Sequence, residues 1–228
     1  MGDRNQLLFV QSHAQLVKGP ILEVGSKDYG TTQDFRSLFP GEEYIGTDMF
    51  PGKGVGVDIV LDLTEDFERI DRALQGKRFN TIICMSVLEH CSDPFRMARN
   101  IESLLTEEGV LLLGVPFVWE IHGYPDDYWR FTPNGVKRLF PGLDFETHAG
   151  SAWTSRDGES GKLDDQLFRI RFSSRAKGNR LGLVAGSFTA LCRKVGLLRA
   201  VFGYRYVFPP VMLSMVGKKR RLDLNQAG

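Results

Sequence analysis

Short aliphatic and β-branched runs alternate with stretches of helical spacing through the first half of the chain. That alternation predicts a mostly parallel sheet whose strands are joined by crossover helices. Strands are expected at 20–24 (PILEV), 43–47 (EYIGT), 57–61 (VDIVL), 79–84 (FNTIIC) and 109–115 (GVLLLGV). Ahead of the fifth, Asp93 stands as a helix cap with Pro94 at the first helical position. Met97, Ala98, Ile101, Leu104 and Leu105 then recur on one face. This helix is expected to stop near Glu107-Glu108-Gly109, where Gly109 supplies a left-handed turn.

Periodicity is lost over 116–132, which fills with aromatics, Pro and Gly and reads as a long loop. Thr132-Pro133 starts a short helix through Phe140; 143–148 reads as a sixth strand and 210–216 as a seventh. The span of about 150–206 is too long for a plain connection and predicts an inserted helical segment between strands six and seven. The expected architecture is α/β: one domain over 1–228, with a doubly wound, seven-stranded, mostly parallel sheet.

Composition narrows the class. Apolar residues at 42% and charged residues at 25% are ordinary globular usage and exclude a disordered chain. The start, MGDRNQLLFVQSHAQ, does not read as a secretory signal, and no run reaches the roughly 18 apolar residues of a membrane span. A cytoplasmic location is expected, with peripheral membrane contact left open. Cys84, Cys91 and Cys192 match no zinc spacing, so no metal is expected.

Charge is segregated. Residues 1–165 hold 16 Lys and Arg against 27 Asp and Glu, while 166–206 hold nine cations and no acid, and Lys218, Lys219, Arg220 and Arg221 follow. Within 166–206, Leu181, Leu183, Val184, Phe188, Leu191, Val195, Leu197, Leu198, Val201 and Phe202 fall at near-helical spacing. Such helices suit an anionic membrane or a lipid-linked acceptor. They equally suit packing on the domain or on a second subunit in a homodimer. Nucleic acid is disfavoured, because no recognised binding module is present.

Open parallel sheets bind ligands at the carboxyl ends of their strands. There the first strand leads into Gly25-Ser26-Lys27-Asp28-Tyr29-Gly30, which lacks both the GxGxxG fingerprint and a P-loop ending. An uncharged or cationic ligand is therefore favoured over a phosphate. Asp48 closes the second strand 23 residues after Gly25, near the offset at which an acid grips a ribose diol. Asp62 ends the third strand, where a carboxylate can accept from an adenine amino group. The alternatives are a turn residue before Pro51-Gly52 for Asp48 and a helix cap near Thr64 for Asp62.

The order and spacing of LEVGSKDYG (22–30), YIGTD (44–48), VDIVLDL (57–63), FNTIICMSVLEHCSDP (79–94) and LLTEEGVLLLGVPF (104–117) resemble the S-adenosylmethionine-dependent class I methyltransferases of the small, metal-independent type. The resemblance implies a Rossmann-like methyltransferase fold with S-adenosylmethionine as cofactor. It further implies Glu23, Gly25, Ser26 and Gly30 under the methionine portion, Asp48 on the ribose and Met49 against adenine. Asp62 and Leu63 would read the adenine edge, and Met85 and Ser86 would line the cofactor. Lys27 departs from the small residues usual in that turn and must point away from a sulfonium or meet an acid.

Methyl transfer from a sulfonium needs an aligned acceptor and, for a hydroxyl, a base. Histidine suits that task. His13 and His148 read as structural. His90, in the LEH segment, is a candidate for the base or for orienting a loop. His122 lies in 116–133 (PFVWEIHGYPDDYWRFTP), which resembles a subgroup of these enzymes found with polysaccharide biosynthesis. It is the preferred base. Tyr128 and Trp129 would stack on a sugar face, Asp126 or Asp127 would hold hydroxyls, and Arg130 completes this acceptor segment; a lid packed by its own aromatics is the alternative. The expected activity is O-methylation of a sugar or other small hydroxylated acceptor. A nicotinamide-dependent oxidoreductase and a non-catalytic cofactor-binding scaffold remain as competing functions.

Overall fold

The computed structural model describes residues 4–30, 34–52, 56–123, 125–145, 150–155, 160–163, 170–171, 188, 191, 206–207 and 210–221. The chain divides into two compact units, Met1–Leu163 with Pro210–Gly228, and Asp164–Pro209. The first unit carries the parallel strands that the hydrophobic runs predict: β1 (Ile21–Val24), β2 (Tyr44–Asp48), β3 (Ile59–Val60), β4 (Phe79–Met85) and β5 (Leu105–Val118). They lie in the order β3-β2-β1-β4-β5 and pair in parallel throughout. From β1 the chain steps outward to β2, and from β4 it steps the other way to β5. Right-handed crossovers then place the two sets of connections on opposite faces, and the direction reverses between β1 and β4.

One face is filled by Ile21, Ile83, Met85, Val110, Leu112 and Val216, packed with Phe9 and Val10 of helix α1 (Arg4–Ser12) and with Phe35 and Phe39. Strand alternation turns Leu22, Ile82, Leu111 and Leu113 to the other face, and all four are fully buried. Burial of one such side chain stabilises the fold by about 1.5–3 kcal/mol. Helix α2 (Phe67–Ala73) and helix α3 (Pro94–Leu104) follow β3 and precede β5. Asp93 caps α3, its carboxylate accepting from Arg96 N at 2.9 Å. The expected glycine turn at its end is absent. The left-handed residue there is Glu108 (φ 62°), and Gly109 instead allows Thr106 O to approach within 2.9 Å of where a Cβ would stand.

Beyond β5 the sheet is wider than the seven strands expected. Strand β11 (Val211–Lys219) lies antiparallel to β5 and runs past 216. Two short strands lie on the far edge of β11. β6 (Leu143–Asp144), the start of the expected sixth strand, lies beside Lys218–Lys219; β7 (Ala152–Ser155), a strand inside the span expected to begin a helical insertion, lies beside Val211–Ser214. β8 (Ser160–Lys162) then pairs with β7, completing a nine-stranded sheet. His148 lies outside the described residues. Helix α4 (Pro133–Leu139) begins at Thr132, whose hydroxyl accepts from Gly135 N at 3.0 Å.

In the second unit, β9 (Ile170–Arg171) pairs antiparallel with β10 (Tyr206–Val207), and the helical residues Phe188 and Leu191 are exposed. The rest of the basic, apolar stretch lies outside the described residues, as does Cys192. Among the described residues no helix is long and apolar enough to cross a membrane. Cys84 and Cys91 are buried free thiols.

Candidate active site

The turn after β1 is built around Gly25. Its φ of +79° lies in the left-handed region, and an added Cβ would strike Val87 Cγ2 just after β4. This close approach sits at the point where the sheet changes direction. Gly25 N and Ser26 N both donate to Thr47 O, at 2.8 and 3.0 Å. Lys27 N lies 3.4 Å from Asp48 Oδ2, Phe50 N donates to Asp48 Oδ1 at 2.9 Å, and Leu61 N donates to Asp48 O at 2.8 Å. One chain of hydrogen bonds therefore joins the glycine turn, Asp48 and the segment that ends in Asp62. The three carboxyl ends converge.

Asp48 and Glu23 are both buried, at 7% exposure. Glu23 Oε2 accepts from the Tyr44 hydroxyl at 2.8 Å, and burial pushes its carboxyl up to about 7. Asp62 Oδ1 takes both Thr64 N (2.8 Å) and Thr64 Oγ1 (2.7 Å), closing a local turn, while the residue at the start of the following helix is Asp66. Leu63 is buried and its carbonyl is held by Asn100 Nδ2 at 2.8 Å, while Met49 is exposed. Lys27 resolves its departure from the family turn by lying over the Tyr29 and Phe50 rings, 5.0 and 5.1 Å from their centroids. Gly30 has φ +85° and donates its N–H to Asp28 Oδ1 at 2.7 Å.

After β4, Ser86 is held in the left-handed region (φ 56°) by Gly114 O on its N–H and by Gln6 Nε2 on its hydroxyl, at 2.9 and 2.7 Å. Gln6, 1% exposed in α1, escaped the sequence reading; its only signal is an amide amid the buried helix positions Phe9 and Val10. Gly114 makes room for it, since a Cβ there would stand 3.0 Å from Gln6 Nε2.

A cleft of about 170 Å³ opens between these strand ends and the loop after β5, which begins at 119 and not at the expected 116 because β5 runs on to Val118. Val24, Met49, Asp62, Leu63 and Val87 line one side, and His90, Cys91, Pro125, Asp126 and Tyr128 the other. The loop is pinned to the segment after β4. Tyr128 N donates to Glu89 O at 2.8 Å, Trp129 Nε1 to Cys91 O at 2.7 Å, and the His90 ring Nδ1 to Asp126 O at 2.6 Å. Asp127 is buried and binds Arg130 through both oxygens, at 2.5 and 2.7 Å; that guanidinium holds its carboxyl down at about 2. Asp127 and Arg130 thus brace the loop, whereas Asp126, Tyr128 and Trp129 remain towards solvent. His122 stands edge-on to His90 with ring centroids 4.9 Å apart, and its Nδ1 lies 3.1 Å from Glu120 O. Of the two imidazoles, His90 forms the cleft wall. Burial lowers its pKa, which keeps it neutral.

Residues 7–154 match the family model described as a methyltransferase domain. The chain belongs to that family. The fold agrees. A SAM-dependent methyltransferase from Archaeoglobus fulgidus superposes with a TM-score of 0.53 at 14% identity, over 95% of this chain and 94% of that one. The YcgJ protein of Bacillus subtilis superposes at 0.50 and 14% identity, over 96% and 99%. In sequence, 58 residues are 34% identical to the ubiquinone biosynthesis O-methyltransferase of Actinobacillus pleuropneumoniae serotype 5b (strain L20). That match spans a quarter of this chain and a quarter of the relative. By family the chain carries a methyltransferase domain, and its fold is that of a SAM-dependent methyltransferase, whose cofactor is S-adenosylmethionine.

The residues present fit that cofactor. Gly25 leaves the strand end open to close approach, Asp48 supplies a buried carboxylate, and an apolar cleft adjoins Asp62. The Ser26 hydroxyl is buried without a hydrogen-bond partner, packed over Gly46, where a Cβ would stand 2.7 Å from it.

Proposed function

We propose that this chain methylates a hydroxyl of a small acceptor, a sugar or a lipid-linked sugar, using S-adenosylmethionine. The observation that carries the reading is the cleft itself, whose two walls are the strand ends on one side and the aromatic loop on the other. When bound, the cofactor supplies a methyl group already activated on a sulfonium. Asp48 holds the ribose diol, Met49, Asp62 and Leu63 enclose the adenine, and Glu23, Gly25, Ser26, Gly30, Met85 and Ser86 shape the methionine end. Tyr128 and Trp129 offer aromatic faces to a sugar, and Asp126 accepts from its hydroxyls. Asp127 and Arg130 keep that loop in shape.

The acceptor proton leaves through the His90–His122 pair. Each Nδ1 faces oxygens that only accept, so each Nδ1 carries the hydrogen and each Nε2 keeps its lone pair. A base so placed adds typically 10²–10⁴-fold. An O-linked acceptor also accords with the 58-residue likeness to a ubiquinone biosynthesis O-methyltransferase.

Two variants separate binding from chemistry. In Asp48→Ala, calorimetric affinity for S-adenosylhomocysteine is expected to fall. In His122→Ala and His90→Ala that affinity should hold while methyl transfer to a panel of sugars collapses. Native affinity in Asp48→Ala would remove the site from these strand ends, and undiminished turnover in both histidine variants would remove the pair from the chemistry.

A further inference from the structure

Glu89 has no role in the reading so far. Its side chain is 1% exposed, and neither carboxylate oxygen has a hydrogen-bond partner. A carboxylate taken wholly out of water needs a compensating group. The nearest are two imidazoles: single ligand atoms of Glu89, His90 and His122 all lie within 4.8 Å of one another. His90 Nε2 is 4.0 Å from Glu89 Oε1.

The tautomers decide what this cluster can do. His90 Nδ1 is fixed as a donor by Asp126 O at 2.6 Å; His122 Nδ1 is fixed by Glu120 O at 3.1 Å and Asp127 Oδ2 at 3.3 Å. Carbonyl and carboxylate partners on the far nitrogen are the usual second layer around metal-ligating histidines, because they fix the ring and leave Nε2 to the ion. His90 Nε2, one buried Glu89 oxygen and an imidazole nitrogen of His122 then form a two-histidine, one-carboxylate donor set.

The geometry points to a divalent-cation site at Glu89, His90 and His122, selective for a first-row transition ion such as Zn²⁺ or Mn²⁺. Two imidazoles suit borderline ions and disfavour Mg²⁺ and Ca²⁺, which prefer oxygen throughout. The inference deepens the proposed function and rests on it for the acceptor: with the ion bound, both imidazoles serve as ligands in place of their role as base, and the ion lowers the pKa of an acceptor hydroxyl that ligates it, whose proton passes to solvent water.

The test is binding, not turnover. Full-length protein stripped with a chelator is titrated calorimetrically with ZnCl₂, MnCl₂ and MgCl₂, and its Co²⁺ complex is examined by visible absorption. One equivalent of Zn²⁺ or Mn²⁺ is expected, weakened roughly 100-fold or more in Glu89→Gln and in His122→Asn. A ligand-field band on Co²⁺ loading should change in either variant. S-adenosylhomocysteine affinity, measured on the same samples, reports separately on the cofactor site and on folding. No stoichiometric transition ion, a preference for Mg²⁺, or unchanged affinity in both variants would overturn the site, whatever the methyltransferase assay gives.

Discussion

Glu23 sits inside β1 with the Tyr44 hydroxyl on one oxygen. Burial lifts its carboxyl from 4.5 to about 7; the Tyr44 bond and Arg36 oppose the shift, and Asp34 and Asp58 add to it. A carboxyl raised in the folded state binds its proton longer there than in the unfolded chain. Stability is therefore full below about 4.5, falls as pH rises towards 7, and stays low above that. Glu23→Gln keeps an acceptor for Tyr44 and carries no charge. The ligand-free variant should equal wild type near about pH 4.5 and exceed it by about 3 kcal/mol near about pH 8. Urea unfolding at both values checks this; a gap that does not widen with pH would mean Glu23 is solvated. Residues at strand ends such as Gly25, Asp48 and Asp62 were legible from sequence because their place depends only on counting along local hydrophobic runs. Gln6 and Glu89 were not, since what marks them is packing: Gln6 meets Ser86 across 80 positions, and Glu89 stands out only once its oxygens are found unpaired.

The start of helix α3 is legible to the residue, because it is written in a local code. Asp93 accepts from Arg96 N, and Pro94 occupies the position whose N–H needs no partner. Asp93→Ala should cost about 1 kcal/mol and lower Tm by roughly 2–4 °C in differential scanning calorimetry; an unchanged Tm would show that the cap carries no stability. The far end was misread. The left-handed residue is Glu108, where propensity favours the glycine beside it, and Gly109 answers a steric demand of Thr106 that sequence does not display. β11 ran longer than its apolar core suggests for a related reason. Lys219 reads as part of a solvated basic tail, yet its ammonium donates to Glu102 O and Leu105 O, each at 2.7 Å, closing the last carbonyls around the end of α3. The expected sixth strand is present as β6, whereas β7 forms along the same edge of β11 at residues expected to open a helical insertion, because pairing with a distant strand leaves no mark in the local hydrophobic pattern.

The charge segregation is a property of the whole molecule, and part of it is internal. In the tail, Lys218 and Arg221 both meet Glu108, and Lys219 is spent on α3. Those cations complement the acidic body. The nine of 166–206 form the other share, in a unit whose Phe188 and Leu191 are exposed. If this unit serves a lipid-linked acceptor, the full chain should float with vesicles containing anionic lipid at low salt and not with zwitterionic ones. Each cation near such a surface contributes about 1 kcal/mol, and salt removes the effect as the screening length falls from about 10 Å at 0.1 M to about 3 Å at 1 M. The joint variant Arg193→Gln, Lys194→Gln, Arg199→Gln should abolish flotation, while Lys218→Gln with Arg221→Gln should leave it intact, because Glu108 already holds those two. Failure of the wild type to float on anionic vesicles at low salt would remove the membrane from the reading of the nine cations of 166–206.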